Sequence, residues 1–358
     1  MAFSWITALL PLAISLPCVL GLEVTCPLLC NCTAPPNISV ICTTPGMNTF
    51  PSAFPRNTVS ISVEFTNITT IAPKSLSELP LLEELHLSNN GLTSLPDRLL
   101  EPLIRLHTLD LTDNFLTSVP HTLLLNMPNL KSLILSGNLL TNLWTEDDFV
   151  KQKLQWLDLS RNRISVLYLQ NFSSFHYMKN LDLSYNKLHE LPATLFRKMN
   201  PLRRINLEGN QLSTLPPNLF IKNSLLEHVF LARNNLSFVP DKLLNTHFIQ
   251  TVDLSENNLH TQSSGLYQVL QQVQHRTEQT LDLSNNPWHC DCQLLYLYGW
   301  MAKHKNILYS LESTRCEKPN AFKNAKLVQL YVPEEDMIKS CPVPKILTED
   351  YVQQRTFV

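Results

Sequence analysis

The residues of this chain that could most readily do chemistry form the run His289, Cys290, Asp291 and Cys292. Histidine and cysteine are the common ligands of zinc, so this run suggests a metal site. The competing interpretation is structural, because cysteines outside the cell are held in disulfides, and Trp288 and Trp300 flank the run. We favour the structural interpretation, in which the run begins a C-terminal cap and no metal or other cofactor is bound.

No motif for enzyme catalysis stands out elsewhere in the sequence. There is no G-x-S-x-G turn and no glycine-rich phosphate loop, and the 11 histidines are scattered. A formal net charge of −2 over 358 residues lacks the basic excess of a nucleic-acid-binding protein. The sequence therefore predicts a protein that is neither an enzyme nor a nucleic-acid-binding protein.

The cysteines group at the two ends of the chain. Apart from Cys18, they are Cys26, Cys30, Cys32 and Cys42 near the start, and Cys290, Cys292, Cys316 and Cys341 near the end. An even set confined to the ends predicts disulfides formed in an oxidising compartment, each group closing one end of a stacked core.

The ends of the chain also carry signals for secretion. Residues 1–21 form an apolar run with small residues near its end, which predicts a secretory signal peptide; a membrane anchor is the alternative, and the prolines within the run disfavour it. The last residues, 342–358, form a polar tail that could not span a bilayer. We therefore expect a secreted, extracellular protein without a membrane anchor. Acceptor triplets for N-linked sugars occur at Asn31, Asn37, Asn67, Asn171 and Asn235.

Between the cysteine groups, one pattern recurs about every 24 residues. Its clearest copy is LEELHLSNNGLTSLP, residues 82–96, and the asparagine of the pattern returns at Asn114, Asn138 and Asn162 and then through to Asn286. The form L-x-x-L-x-L-x-x-N-x-L is the signature of leucine-rich repeats, each of which adds one short strand to a curved parallel sheet. Leu85 and Leu87 alternate with polar residues, so the leucines face inward and the polar side chains face the open sheet.

These observations predict an α/β leucine-rich repeat solenoid. We expect a curved horseshoe with a parallel β-sheet on its concave face and disulfide-bonded caps at both ends. The predicted parts are an N-terminal cap at 22–57, about ten repeats at 58–288 and a C-terminal cap at 289–341. The ladder asparagines should bond backbone groups of adjoining turns. A longer step before Leu281 contains SSGLYQVLQQVQHRTEQ, whose apolar spacing predicts a helix on the convex side.

The strand positions that point outward predict the binding surface. Their central column is Ser62, His86, Asp110, Ile134, Asp158, Asp182, Asn206, Phe230, Asp253 and Asp282. Half are aspartates, and two interpretations stay open: the aspartates belong to the common L-D-L-S repeat consensus, or they form an acidic stripe that attracts a basic protein ligand.

Aromatic residues and arginines gather on repeats five to eight. Such residues dominate binding hot spots, and the pattern gives Trp156 and Phe230 no role in the core. The predicted protein-binding residues are Trp156, Asp158, Arg161, Asp182, Tyr185, Arg204, Phe230 and Arg233.

Both ends of the repeat region resemble a known family. The start NTVSISVEFTNITTI and the close LDLSNNPWHCD, followed by LYGW and STRC, are similar to the secreted glycoproteins that include leucine-rich alpha-2-glycoprotein and the beta-type phospholipase A2 inhibitors of snake plasma. The resemblance implies the disulfides Cys26–Cys32, Cys30–Cys42, Cys290–Cys316 and Cys292–Cys341. It also implies protein binding, with cytochrome c, transforming growth factor beta receptor components or phospholipases A2 as partners. Phospholipase A2 inhibition and an adhesion or receptor ectodomain stand as alternative functions.

Overall fold

The protein is a leucine-rich repeat solenoid. A computed structural model describes residues 26–119, 127–144, 153–244, 246–273, 279–331 and 345–346. The predicted signal peptide, Cys341 and most of the predicted tail lie outside the described residues. One part of that tail is described: the strand Lys345–Ile346, which pairs antiparallel with Leu330–Tyr331.

The repeats and the two caps form 17 short strands among the described residues, one strand for each repeat. The strands are β1 (Asn31–Cys32), β2 (Ile38–Cys42), β3 (Thr58–Val63), β4 (Glu84–His86), β5 (Thr108–Asp110), β6 (Ser132–Ile134), β7 (Trp156–Asp158), β8 (Asn180–Asp182), β9 (Arg204–Asn206), β10 (His228–Phe230), β11 (Thr251–Asp253), β12 (Thr280–Asp282), β13 (Trp288–His289), β14 (Leu308–Tyr309), β15 (Cys316–Lys318), β16 (Leu330–Tyr331) and β17 (Lys345–Ile346). Thirteen of these described strands form one sheet in the order β1 to β12 and then β14. From β2 onward every neighbour in that sheet is parallel.

The alternation of the sequence sets the two faces of the sheet. In β4 through β8 the middle residue of each strand is buried and the two outer residues remain accessible. The buried residues include Leu85, Leu109 and Leu133, each with 0% exposure. Neighbouring strands pair in register, so equivalent residues stand side by side and form continuous columns along the sheet.

The ladder asparagines hold successive turns together, as the pattern predicts. The amide nitrogen of Asn162 donates to the carbonyl oxygens of Leu135 and Leu159, at 2.9 and 3.1 Å. Its amide oxygen accepts from the backbone nitrogen of Leu140 at 3.0 Å. One side chain thus satisfies backbone groups of its own turn and of the preceding turn, which would otherwise be buried without partners.

The sheet begins inside the predicted N-terminal cap. Strand β2, which ends at Cys42, runs parallel to β3 and extends the sheet by one turn before the first leucine-rich repeat. Disulfides join Cys26 to Cys32 and Cys30 to Cys42, the pairing that the resemblance implies. Since Cys42 is fully buried, the second bridge ties the cap to the apolar core.

The C-terminal end contains the two α-helices of the described residues. Helix α1 (Ser264–Gln272) forms within the predicted helical insertion, and the side chain of Ser263 caps it by accepting a hydrogen bond from the nitrogen of Leu266. Helix α2 (Leu295–Lys303) follows the cysteine run. Cys290 is bonded to Cys316, and Cys292 is also in a disulfide, although its expected partner Cys341 lies outside the described residues.

Buried aromatic side chains fill the side opposite the sheet. Phe172, Phe196 and Phe220 come from successive repeats, with ring centroids 6.4 and 5.6 Å apart. Trp144 is buried beside this row and donates from its indole nitrogen to the carbonyl oxygen of Asn171 at 2.7 Å. These aromatic residues stabilise the convex side of the middle repeats.

Candidate protein-binding surface

Five of the eight predicted binding residues lie on the open face of the sheet. They are Trp156 and Asp158 at the two ends of β7, Asp182 in β8, Arg204 in β9 and Phe230 in β10. Adjacent strands of a sheet lie about 4.8 Å apart, so these side chains share one continuous surface. The other three residues lie at a different place.

Trp156 is the most exposed aromatic residue of strands β4 to β12 on this face; only Tyr309, in β14 at the C-terminal edge of the described sheet, is more exposed, at 67%. Trp156 keeps 47% of its surface accessible. In register on either side it meets Ser132 and Asn180, whose small polar side chains cannot cover an indole ring. The fold therefore presents a large apolar side chain to solvent at the centre of a preformed surface.

Phe230 is less exposed than the sequence suggests. The guanidinium carbon of Arg204 lies 4.2 Å from the centroid of the Phe230 ring, a cation–π contact. The ring of His228 stacks nearby, with centroids 6.4 Å apart. Phe230 does lie on the open face, as the pattern predicts, but its ring is partly covered because Arg204 reaches diagonally across from the neighbouring strand. Together the two residues form one half-buried unit on the sheet.

The aspartates of the central column have a structural role. Asp158 accepts a hydrogen bond from the backbone nitrogen of Ser160, two residues along, at 2.9 Å. Asp110, Asp182, Asp253 and Asp282 make the same bond in their own repeats. Each aspartate thus closes the turn that follows its strand. This geometry supports the repeat-consensus interpretation.

Burial and neighbouring charge change the acidity of this column. Desolvation raises the pKa of the Asp158 carboxyl above its ordinary range, and the nearby carboxylate of Asp182 raises it further, against the opposing hydrogen bonds from Ser160. Asp110 shows the opposite result. Burial raises the pKa of Asp110, but contact with His86 and hydrogen bonds from Thr112 outweigh that effect and leave the pKa below its ordinary range.

His86 is the second residue of the column, next to Ser62 at its N-terminal end. Its ring nitrogens lie 3.8 Å from a carboxylate oxygen of Glu84 and 3.9 Å from one of Asp110. Contact with Asp110, followed by the charges of Asp110, Glu64 and Glu84, raises the pKa of His86 despite its partial burial. This end of the surface therefore becomes more positive as the pH falls.

Arg161, Tyr185 and Arg233 lie in the turn after the strand rather than on the sheet face. Each precedes a ladder asparagine and has a left-handed backbone, with φ of 53°, 52° and 55°. Arg161 donates to Asp113 at 3.0 Å. Arg233 donates to the phenol oxygen of Tyr185 at 2.8 Å and to Glu256 at 3.1 Å. These three side chains lie along one edge of the sheet in two pairs, Arg161 with Asp113 and Arg233 with Tyr185, which we call the paired rim.

Sequence reasoning missed the partners of this rim. Glu208 accepts a hydrogen bond from the Tyr185 hydroxyl at 2.5 Å, and Gly137 and Gly209 occupy the rim position in the repeats between the paired residues. The available signal is the 48-residue separation of Asp113 from Arg161 and of Tyr185 from Arg233. A search for paired residues two repeats apart, with glycine midway, would have found both contacts.

The described residues hold no candidate metal centre. No group of three or more histidine, cysteine, aspartate or glutamate residues in that part of the chain could hold a metal ion. In the cysteine run, Cys290 and Cys292 are held in disulfides. His289 lies beside His260, with ring centroids 5.2 Å apart. The run serves the C-terminal cap in this structure.

The predicted sugar-acceptor sites differ in accessibility. Asn31, Asn37, Asn67 and Asn235 are exposed. Asn171 retains 3% exposure, its amide nitrogen donates to the carbonyl oxygen of Trp144 at 2.5 Å, and its amide oxygen accepts from the nitrogen of Tyr168 at 2.6 Å. Both ends of this side chain are therefore occupied inside the core, which is incompatible with an attached sugar. The expectation for Asn171 is corrected on this ground.

Family comparisons agree with the repeat architecture. Residues 104–164, 152–212 and 176–236 match the profile described as Leucine rich repeat, and residues 81–103 match a second profile with the same description. In solved structures, the fold is similar to a chain in the octameric complex of Latrophilin 3, Unc5D and FLRT2, whose FLRT2 part is the leucine-rich repeat component. That likeness has a TM-score of 0.66 and 19% identity and covers 85% of this chain and 98% of the other. A leucine-rich repeat protein of Leptospira interrogans gives a TM-score of 0.59 at 25% identity, over 65% of this chain and 62% of that one.

Curated relatives match a shorter segment. Phospholipase A2 inhibitor beta of Elaphe climacophora is 48% identical over 63 residues, which is 17% of this chain and 19% of the relative. Phospholipase A2 inhibitor of Gloydius brevicaudus siniticus is 44% identical over 63 residues, with the same coverage. Human platelet glycoprotein IX is 35% identical over 77 residues, 22% of this chain and 40% of the relative. The chain thus spans about one fifth of the length of the two inhibitors that it matches.

Proposed function

We propose that this chain is a secreted, non-enzymatic glycoprotein that binds a protein ligand on the concave face of its sheet. The observation that carries the proposal is Trp156, which exposes 47% of its surface at the middle of the open face. Exposed aromatic residues on a rigid, preformed surface are typical anchors of protein interfaces.

A second anchor supports the same face. Arg204 and Phe230 form a cation–π pair with 4.2 Å between guanidinium and ring centroid, and they lie two and three strands from Trp156, respectively. Aromatic residues and arginine are enriched in hot spots because they bury large areas and still offer polar contacts. Asp158 shares β7 with Trp156, and Asp182 lies in β8 between the two anchors, while Arg161, Tyr185 and Arg233 form the rim.

The disulfides support an extracellular location. Three bridges between described cysteines close the two ends of the solenoid, and bridges of this kind persist in oxidising compartments. No helix among the described residues is long and apolar enough to cross a membrane.

The test compares two exposed aromatic residues. Trp156→Ala removes the proposed anchor, and Phe115→Ala is the matched control, since Phe115 is 55% exposed but lies outside the strands. The probes are phospholipase A2, cytochrome c and the extracellular parts of transforming growth factor beta receptors, measured by surface-binding kinetics. For any probe that binds, Trp156→Ala should weaken binding by about 2 kcal/mol or more, mainly through faster dissociation. Equal loss in both variants, or no loss in either, would place the ligand elsewhere.

The aspartates allow a second arm of the same experiment. Asp158→Asn with Asp182→Asn removes two charges but keeps an oxygen that can accept the turn hydrogen bonds. For a basic ligand this double variant should slow association and flatten its dependence on salt, while dissociation changes little. Unchanged association would assign the aspartates to turn formation alone.

Phospholipase A2 inhibition is the second candidate function. It rests on the 48% identity with phospholipase A2 inhibitor beta over 63 residues. The direct test measures the rate at which phospholipase A2 hydrolyses phospholipid as increasing amounts of the purified chain are added. Saturable inhibition that is weaker with the Trp156→Ala variant would show that the enzyme binds the concave face. Undiminished hydrolysis at a large excess of the chain would exclude phospholipase A2 inhibition as the function.

The receptor-ectodomain alternative rests on a different similarity. Human platelet glycoprotein IX is 35% identical over 77 residues. A secreted glycoprotein and a receptor ectodomain differ in where the protein is found when cells express it. Recovery in the culture medium supports secretion, and retention with the membrane fraction supports a receptor.

A further inference from the structure

A groove crosses the convex side of the repeats that contain β8 to β11. Two adjoining depressions, of about 180 and 390 Å³, meet at Ile221. Four segments form this region: residues 192–199, residues 216–223, residues 240–244 and helix α1. We call it the convex groove, and its surface is separate from the concave face on which the proposed ligand lies.

The middle of the convex groove is apolar. Ile221 exposes 37% of its surface, although isoleucine is one of the residue types most often fully buried. Leu219 and Leu244 lie beside it and contribute buried apolar side chains to the lining. A partner side chain that covers Ile221 would therefore remove apolar surface from water on both molecules.

The rim of the convex groove is positively charged. The four segments carry the cations Arg197, Lys198, Lys222 and Lys242 against the single carboxylate of Asp241, so the difference is 4 − 1 = +3 in a chain of net charge −2. Asp241 already accepts a hydrogen bond from the hydroxyl of Ser264. Within the described part of the chain, the three cations that line the groove, Arg197, Lys222 and Lys242, form no ion pair.

Hydrogen bonds hold the wall of the convex groove in place. The amide oxygen of Gln268 accepts from the backbone nitrogen of Lys242 at 2.7 Å, and Gln272 donates to the carbonyl oxygen of Leu244 at 3.2 Å. The absence of a side chain at Gly265 lets helix α1 approach closely, since a β-carbon there would lie 2.2 Å from the carbonyl oxygen of Pro240. A wall fixed in this way loses little conformational entropy when a ligand binds.

We propose that the convex groove binds an acidic, amphipathic segment of a protein partner. An apolar side chain of that segment covers Ile221, and its flanking carboxylates approach Arg197, Lys222 and Lys242. This ligand chemistry is opposite in charge to a basic ligand at the aspartate column. The protein therefore has two faces that can be occupied at the same time by partners of different chemistry.

The test uses the full chain and a labelled peptide of alternating leucine and glutamate. Lys222→Glu with Lys242→Glu reverses two charges in the convex groove. The matched control is Lys179→Glu with Lys187→Glu, which makes the same change of net charge at exposed positions outside the four segments of the groove. The groove variant should lower the affinity about tenfold or more, and the control by less than about threefold. Ile221→Ser should also weaken binding, and a peptide with glutamine in place of glutamate should bind poorly.

Three results would overturn the proposal. One is the lack of saturable peptide binding to the unaltered chain. Another is an equal loss of affinity in the two charge-reversed variants, which would show a diffuse field instead of a site. The third is binding of anionic phosphatidylserine vesicles without binding of the peptide, which would assign the groove to a membrane surface. If the charge reversals unfold the chain, Lys222→Gln with Lys242→Gln gives the same comparison. Trp156→Ala should leave peptide binding unchanged, so failure of the concave site and failure of this one are distinguishable.

Discussion

Arg233 donates a hydrogen bond of 2.8 Å to the phenol oxygen of Tyr185, although 48 residues and two repeats separate them. Gly209 occupies the same position in the repeat between them. A β-carbon at Gly209 would lie 2.6 Å from the Tyr185 ring, so the missing side chain leaves the space through which the two residues meet. Arg161 and Asp113 meet in the same way across Gly137.

Gly209→Ala should therefore destabilise the fold. Gly209 has a left-handed backbone, φ 66°, which costs an alanine roughly 1 kcal/mol, and the new methyl group would also displace Tyr185. Denaturant unfolding measures the loss. Gly299→Ala is the control, because a β-carbon at this position in α2 meets no atom within 4 Å. The control should be neutral or slightly stabilising, as expected for alanine in a helix. A lower stability in both variants would contradict the role given to Gly209.

The ladder and the sheet face should respond differently to mutation. Asn162→Ala removes the hydrogen-bond partner of the carbonyls of Leu135 and Leu159 and of the nitrogen of Leu140. Each of these groups that stays unpaired should lower the free energy of unfolding by roughly 1–3 kcal/mol. Asp158→Ala loses the bond to the nitrogen of Ser160 at the solvent-accessible face, where water can replace it. Thermal unfolding should therefore show a much larger loss for Asn162→Ala. Equal shifts in the melting temperature would mean that water also reaches the ladder.

Histidine titration gives a prediction about pH. Contact with Asp110 raises the pKa of His86 above its ordinary value of 6.5, whereas burial, followed by the charge of Arg204, lowers the pKa of His228. Because the folded pKa of His86 lies above the unfolded one, protonation of His86 stabilises the fold. This contribution is complete below pH 6.5 and is lost as the pH rises through the raised pKa. Proton NMR titration should place the midpoint of His86 above that of His228.

A substitution checks the same prediction through stability. His86→Asn should remove the stability that the chain gains when the pH falls through the raised pKa, and His189→Asn, at an exposed position, is the control. Unfolding free energies measured on both sides of that pKa give the difference. The reverse order of NMR midpoints, or an equal effect of both substitutions, would contradict the contacts given to His86.

Sugar attachment should follow side-chain exposure. In protein from a secretory expression host, Asn67→Gln and Asn235→Gln should each lose the mass of one N-linked sugar without loss of stability, because both residues are exposed. Asn171→Gln should lose no sugar, yet it should lower the melting temperature through its bonds to Trp144 and Tyr168. Intact-mass measurement before and after enzymatic deglycosylation decides this. A sugar found on Asn171 would mean that residues 168–172 adopt another conformation.

The repeat pattern predicts the backbone of this fold because each contact of the scaffold recurs at one period. Leu85 is buried and Asn90 bonds carbonyls of its own and the preceding turn for the same reason as their equivalents in every repeat. Such contacts depend only on a residue's place within its repeat. The helix at Ser264–Gln272 could be predicted as well, because its apolar spacing departs from the strand pattern.

The candidate site follows from the sequence less completely, because its contacts depend on which residues become neighbours in adjacent repeats. Arg204 covers Phe230 because the two residues lie diagonally opposite each other on adjoining strands. Asn171 fits an acceptor triplet, but its burial depends on Trp144 in the preceding repeat. The paired rim needs a glycine between its partners. None of these contacts is a property of one repeat alone.

The asparagine ladder has a kinetic consequence. Since each ladder residue bonds only its own turn and the adjacent one, an interior turn is held from both sides and a terminal turn from one side. Unfolding should therefore start at the two terminal turns and advance inward, one turn at a time. Cys30–Cys42 and Cys290–Cys316 sit at the ends where that unfolding would begin. We expect reduction of these bridges to shorten the lifetime of the folded chain against proteases well before it changes the middle repeats.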